Sequence, residues 1–229
     1  MTPRQLYDLA DTTHSVCGAI AQLIVGQGLE ERAISVPECL LRAHSPFFDA
    51  ALKKCWQDGS DKKIPLHEDY LDVVEPYVQF LYSGKIYYTK SLDDCSHEEY
   101  IGGGMEYDCL AELYVFGERI QDTLFKNKVM DAFIARMLVL WSEDSERWFP
   151  QPTVINTIYS GTTKRSSFRR PLVDITVSHG FGYWFPADDE DHRKDFLVDV
   201  ASVLFENGSL NRIELFKGMD MVNYHDGLD

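Results

Sequence analysis

Ala33-Ile-Ser-Val-Pro-Glu-Cys-Leu-Leu-Arg-Ala-His-Ser-Pro-Phe-Phe-Asp-Ala-Ala-Leu-Lys-Lys-Cys55 is the stretch from which the fold follows. Ile34 and Val36 alternate with polar residues as a strand does. A short apolar helix follows, broken at His44-Ser45-Pro46. Ser45 offers a hydroxyl for capping, and Pro46 takes the first helical position, where its missing N–H is no loss. Phe47, Phe48, Ala51 and Leu52 then recur at helical spacing and predict a second helix ending near Trp56. The unit is therefore strand, helix, helix.

Working outward, Ile20 to Val25 reads as a strand, Gly26-Gln27-Gly28 as a turn, and Arg32 to Val36 as its hairpin partner. Met1 to about residue 19 is a polar arm. Past the helices, Asp58-Gly59-Ser60-Asp61 is a turn. Lys63-Ile64-Pro65-Leu66 is a short strand that Pro65 confines to an edge. Asp69 to Ser83 predicts a third helix, closed by Gly84. Pro76 interrupts it, so either a late start capped by Asp72 or a bent first turn is expected.

Residues 90–108 read as a flexible insert, acidic at Asp93, Asp94, Glu98 and Glu99 and flexible at Gly102-Gly103-Gly104. Leu110, Leu113, Tyr114, Gly117 and Ile120 mark one strong helix. Phe125, Val129, Phe133, Met137 and Leu140 mark the next, with Asp122 as the N-cap between them. Residues 141–209 predict a helical extension: a short helix over Pro152 to Tyr159, a β-branched but helical element through Leu172 to His179, and a helix over His192 to Phe205. Residues 210–229 read as a frayed tail in which Ile213, Leu215 and Phe216 are the docking candidates. Asp188-Asp189-Glu190-Asp191 is an acidic loop.

With 229 residues, 45% of them hydrophobic and 13% aromatic, the chain can bury a sizeable core. Its formal charge of −15 disfavours nucleic acid or an anionic membrane as direct partner, because phosphate would be repelled. Five cysteines, an odd number with no Cys-x-x-Cys pair, point to reduced thiols in an intracellular compartment. Met1 to Ala10 lacks the apolar core of a signal peptide, and no stretch is long enough to span a bilayer. A cytoplasmic or nuclear location is expected.

Beyond the opening unit, two further blocks carry a resemblance. Tyr77-Val-Gln-Phe-Leu-Tyr-Ser-Gly-Lys-Ile86 is similar to the third helix and Tyr-x-Gly-x-Ile exit of the BTB/POZ family. Leu113-Tyr-Val-Phe-Gly-Glu-Arg-Ile120, followed by Val129-Met-Asp-Ala-Phe133, resembles its later helices. The resemblance covers about residues 20–140, and the extension resembles BTB proteins common in filamentous fungi. It implies an α+β fold, a helical cluster capped by a small mixed β-sheet, with no catalysis. It further implies protein–protein interaction: dimerisation and, in some members, an adaptor role for a cullin-type ubiquitin ligase. The family usually has Val-His after its second strand; here Val36 precedes Pro37, so that polar anchor is missing.

No motif competes with this reading. Cys95, His97 and Cys109 match no zinc spacing, and the glycine triplet lacks the Lys-Ser/Thr of a phosphate loop. Ser178-His179 are mere sequence neighbours, so no catalytic, cofactor or metal residue is assigned. Lys164-Arg165-Ser-Ser-Phe-Arg169-Arg170 is the one basic patch, read as a nuclear-import or phospho-regulated segment or as a solvated turn. Phe47, Phe48, Tyr77, Phe80, Tyr114 and Phe116 are assigned to the core. The expected interaction surface is Asp49, Lys53 and Trp56 on the second helix with Tyr82, Lys85, Tyr87 and Tyr88 around the third-helix exit. The expected partners are proteins, including a second copy or a cullin scaffold, with no small-molecule substrate. A transcriptional regulator and a small enzyme are the alternatives.

Overall fold

The computed structural model describes residues 18–58, 61–87, 104–138, 149–179, 194–206 and 224–227; of residues 56–58, 138 and 179 only the backbone is described. The chain is mixed α+β and separates into two compact units, on either side of the Gly84–Lys85 bond. The boundary expected near residue 140 lies inside the second unit.

In the first unit, β1 (Ile20–Val25) and β2 (Arg32–Pro37) form an antiparallel hairpin in which Leu23 faces Ile34. Gly26 and Gly28 both have positive φ in the connection, as a tight reversal requires. Helices α1 (Glu38–His44) and α2 (Pro46–Asp58) follow, and β3 (Lys63–Leu66) then returns parallel to β1. The sheet order is β2-β1-β3, which leaves Pro65 on an edge strand. Ala21, Leu23, Val25, Ile64 and Leu66 are buried at alternate positions, so one face of the sheet lies on the core.

Ser45 caps α2: its hydroxyl accepts the Phe48 amide at 3.1 Å. This directs Phe48 inward, where it stacks on Tyr77 of α3 (Leu71–Ser83) at 6.0 Å. His44, half-buried at the end of α1, meets the edge of Phe80 at 5.6 Å. Pro37 occupies the N-cap of α1, and the next amide, Glu38, donates to the Ala19 carbonyl at 3.0 Å. The expected late start of α3 is corrected. The helix begins at Leu71, with Val73 and Val74 both donating to Tyr70 at 3.1 Å. Pro76 is thus internal, at the sixth position, and burial of Val73, Val74, Tyr77, Phe80 and Leu81 outweighs the hydrogen bond it cannot make. Gly84 ends the helix in the left-handed conformation, φ 66°.

In the second unit, α4 (Gly104–Ile120) and α5 (Thr123–Leu138) form an antiparallel pair. Of the insert expected over 90–108, residues 104–108 belong instead to α4, and residues 90–103 lie outside the described residues. Gly104 to Asp108 are helical because Tyr107 is fully buried against Phe133, 5.2 Å away, and Glu106 pairs with the buried Arg136. Asp122 caps α5 through the Phe125 amide at 2.9 Å. Helices α6 (Pro152–Gly161), α7 (Arg169–His179) and α8 (Lys194–Glu206) complete the unit. Arg170 lies within α7 rather than in extended backbone, because Pro171 falls in the first turn, where no amide is needed. No helix among the described residues is long and apolar enough to cross a membrane.

Candidate functional site

Of the seven residues assigned to an interaction surface, Asp49 and Lys53 are brought together as an ion pair at 2.6 Å. Arg42 adds a third charge, 3.4 Å from Asp49. Asp49 is therefore largely neutralised within its own helix pair. Tyr82 is 58% exposed on the last turn of α3, and Tyr87 is 49% exposed. Lys85 is exposed as well. The Trp56 side chain and the whole of Tyr88 lie outside the described residues, as do Cys95 and His97. Of the aromatics assigned to the core, Phe48, Tyr77, Phe80, Tyr114 and Phe116 are buried; Phe47 is 36% exposed and lies edge-on to Phe48.

Sequence reasoning missed a second surface. On α8, Val198 and Phe205 are exposed opposite the buried Phe196 and Val200, and Leu197 and Leu204 are exposed at the flank of that buried face. The signal lies in the spacing, since Leu197, Ala201, Leu204 and Phe205 repeat along one side of the helix.

Among the described residues, the densest polar constellation belongs to the second unit, around the 161–170 segment between α6 and α7. The basic patch is not one solvated face. Arg169 is only 7% exposed, donates to the Tyr159 and Thr162 carbonyls at 3.1 and 2.6 Å, and lies over the Tyr159 ring at 4.3 Å. It closes the C-terminal end of α6, where carbonyls need donors. Lys164, Arg165 and Arg170 are exposed and line a cleft of about 750 Å³, together with Ser166, Ser167 and residues of α8.

His225, Asp226 and Gly227 also line that cleft, and the packing of residues 224–227 corrects part of the frayed-tail expectation. Tyr224 is buried and donates to Asp174 at 3.0 Å, with Arg170 over its ring at 5.4 Å. His225 pairs with Asp131 at 2.6 Å. The Asp226 amide donates to Asn127 Oδ1 at 2.8 Å, and Asn127 Nδ2 returns a bond to the Asp226 carbonyl at 3.2 Å. The Asp226 carboxylate receives Lys126 at 2.8 Å and the Tyr114 hydroxyl at 2.7 Å. Lys126 also reaches Glu118 at 2.6 Å. Three successive residues, Tyr224 to Asp226, thus gain their anchorage from side-chain pairing, which periodicity does not register.

Electrostatics follow from that pairing. Burial pushes the Asp226 carboxyl up, but the donors Lys126, Tyr114 and Ser167 outweigh it and hold the carboxyl below its ordinary range. Burial raises Asp174, which Tyr224 and Arg170 only partly offset. Tyr114, Tyr159 and Tyr224 are pushed up, first by burial, and stay as phenols that donate to carboxylates. No group of three or more His, Cys, Asp or Glu among the described residues could hold a metal ion.

No protein-family profile matches the sequence, and no curated protein matches it significantly.

Proposed function

We propose that the chain is a non-enzymatic protein–protein interaction scaffold of BTB/POZ type that self-associates and serves as an adaptor for a cullin-type ubiquitin ligase. The observation that carries this is the element order and pairing of the first unit. A hairpin leads into the α1–α2 pair, β3 returns parallel to β1, and α3 spends Tyr77 and Phe80 on the core. Such a unit supports the resemblance drawn from residues 20–86. It also leaves Tyr82 exposed after the core is complete, and exposed tyrosines suit interface anchors.

Sedimentation velocity on the full chain, with and without a purified cullin N-terminal region, is the test. A concentration-dependent dimer and a complex with the cullin are expected, with Tyr82→Ser and Tyr87→Ser weakening at least one of the two. A strict monomer at about 100 μM that binds no cullin would overturn the proposal, since interfaces of ordinary size reach micromolar affinity or better.

A further inference from the structure

We propose that Ser167 is a phosphorylation site for a basophilic serine/threonine protein kinase, and that its phosphate releases the Tyr224–Gly227 segment from the helices it clasps. This is independent of the scaffold function proposed above.

The sequence supplies the recognition chemistry. Lys164-Arg165-Ser166-Ser167 places cations three and two residues ahead of Ser167, in a chain whose net charge is −15. A kinase whose substrate groove carries carboxylates would select this segment by charge complementarity. Lys164 and Arg165 are both exposed, and the intervening backbone runs through turns rather than helix. The two serines differ. Ser166 is buried, with its hydroxyl 3.4 Å from the Tyr114 hydroxyl. Ser167 is partly exposed and lines the cleft, so it is the available acceptor.

The consequence follows from where the hydroxyl lies. Ser167 lines the cleft beside Asp226, whose carboxylate takes Lys126 at 2.8 Å and Tyr114 at 2.7 Å. In the transfer, Ser167 Oγ forms a bond to the γ-phosphorus of ATP and the β–γ anhydride bond breaks. ADP leaves, and the hydroxyl proton passes to the kinase's base. A neutral hydroxyl is thereby replaced by a group of about −1.5 to −2 charge on the cleft that the Asp226 carboxylate also lines. Lys164, Arg165 and Arg170 line the same cleft and give the phosphate cationic partners. The Asp226 carboxylate competes for the same cations, and its own cation, Lys126, is already shared with Glu118, whereas the phosphate carries the larger charge. The phosphate stays and the carboxylate leaves.

The test treats the full chain with a cAMP-dependent-type kinase and ATP, maps the phosphate by mass spectrometry, and measures amide hydrogen exchange. One phosphate on Ser167 is expected. It should be absent in Ser167→Ala and slowed about tenfold or more when Lys164 and Arg165 are both replaced by Ala, the loss of two charge-assisted contacts. The Asp226 amide, bonded to Asn127, should exchange about tenfold faster in the phosphorylated chain and recover after phosphatase, as a locally opened segment does. No phosphate at Ser167, phosphate at Ser166 instead, or a phosphorylated Ser167 with unchanged exchange at Asp226 would each overturn the proposal. Reversal by phosphatase keeps the result free of any folding defect in a variant.

Discussion

Ser45 and Lys126 hold their neighbourhoods by different physics, and their replacements should fail differently. Ser45 is fully buried and satisfies the Phe48 amide at the start of α2. Ser45→Ala removes that acceptor and should lower stability by about 1 kcal/mol, read as a shift in urea midpoint at unchanged slope. Lys126 sits between Glu118 and Asp226 with its side chain only 11% exposed. Lys126→Met would leave two partly buried carboxylates facing each other. The expected loss is about 2–3 kcal/mol, most of it recovered when Glu118→Gln and Asp226→Asn are added. Acid acts on the same carboxylate. The folded Asp226 titrates below its ordinary 3.8, so its contribution is present above that value and lost as pH falls through the lower one. Asp174 is shifted the opposite way by burial, so its ionisation works against the fold and acid relieves it. Carbon-detected NMR titration of the two side-chain carboxyls should therefore give midpoints on opposite sides of 3.8. An Asp226 midpoint at or above 3.8 would contradict the pairing described for Asp226.

The α4–α5 pair shows at the level of elements what a sequence discloses and what it withholds. Helical spacing and the Asp122 cap were readable because both are local: period and hydrogen-bond chemistry sit within a few residues. The reversal between the helices was not, since Gln121 takes a left-handed conformation, φ 59°, that glycine normally supplies. The Asp122 amide donates to Gly117 at 3.1 Å and Gln121 to Glu118 at 3.3 Å, so the helix closes as though a glycine were there. Gln121→Gly should raise stability by about 0.5–1 kcal/mol in thermal unfolding, by removing side-chain strain at positive φ. The α4–α6 contact was equally invisible: a methyl group added at Gly161 would overlap Val115. Gly161→Ala should cost about 1–3 kcal/mol, and Val115→Ala in the same chain should recover part of it. The cleft escaped for the same reason. Arg169, Tyr224 and Asp226 meet Tyr159, Asp174 and Lys126 across 10, 50 and 100 residues, by pairings that no periodicity encodes.

At the scale of the molecule, the charge of −15 sets the sign of its associations. Two copies of a chain this acidic repel each other at long range, and that repulsion opposes any dimer whose core is apolar or aromatic. The Debye length falls from about 30 Å at 0.01 M salt to about 8 Å at 0.15 M, so added salt removes the repulsion while leaving apolar burial intact. A dimer held by surfaces such as those carrying Tyr82 or Phe205 should therefore tighten with sodium chloride over that range. An interface built from ion pairs, such as one using Lys53 against a carboxylate of the second copy, should loosen instead. Thermal stability of each copy should follow the first sign, because intramolecular repulsion is screened along with the intermolecular kind. Sedimentation equilibrium at two salt concentrations separates the cases: a dissociation constant that falls with salt assigns the contact to apolar side chains, and one that rises assigns it to charged ones.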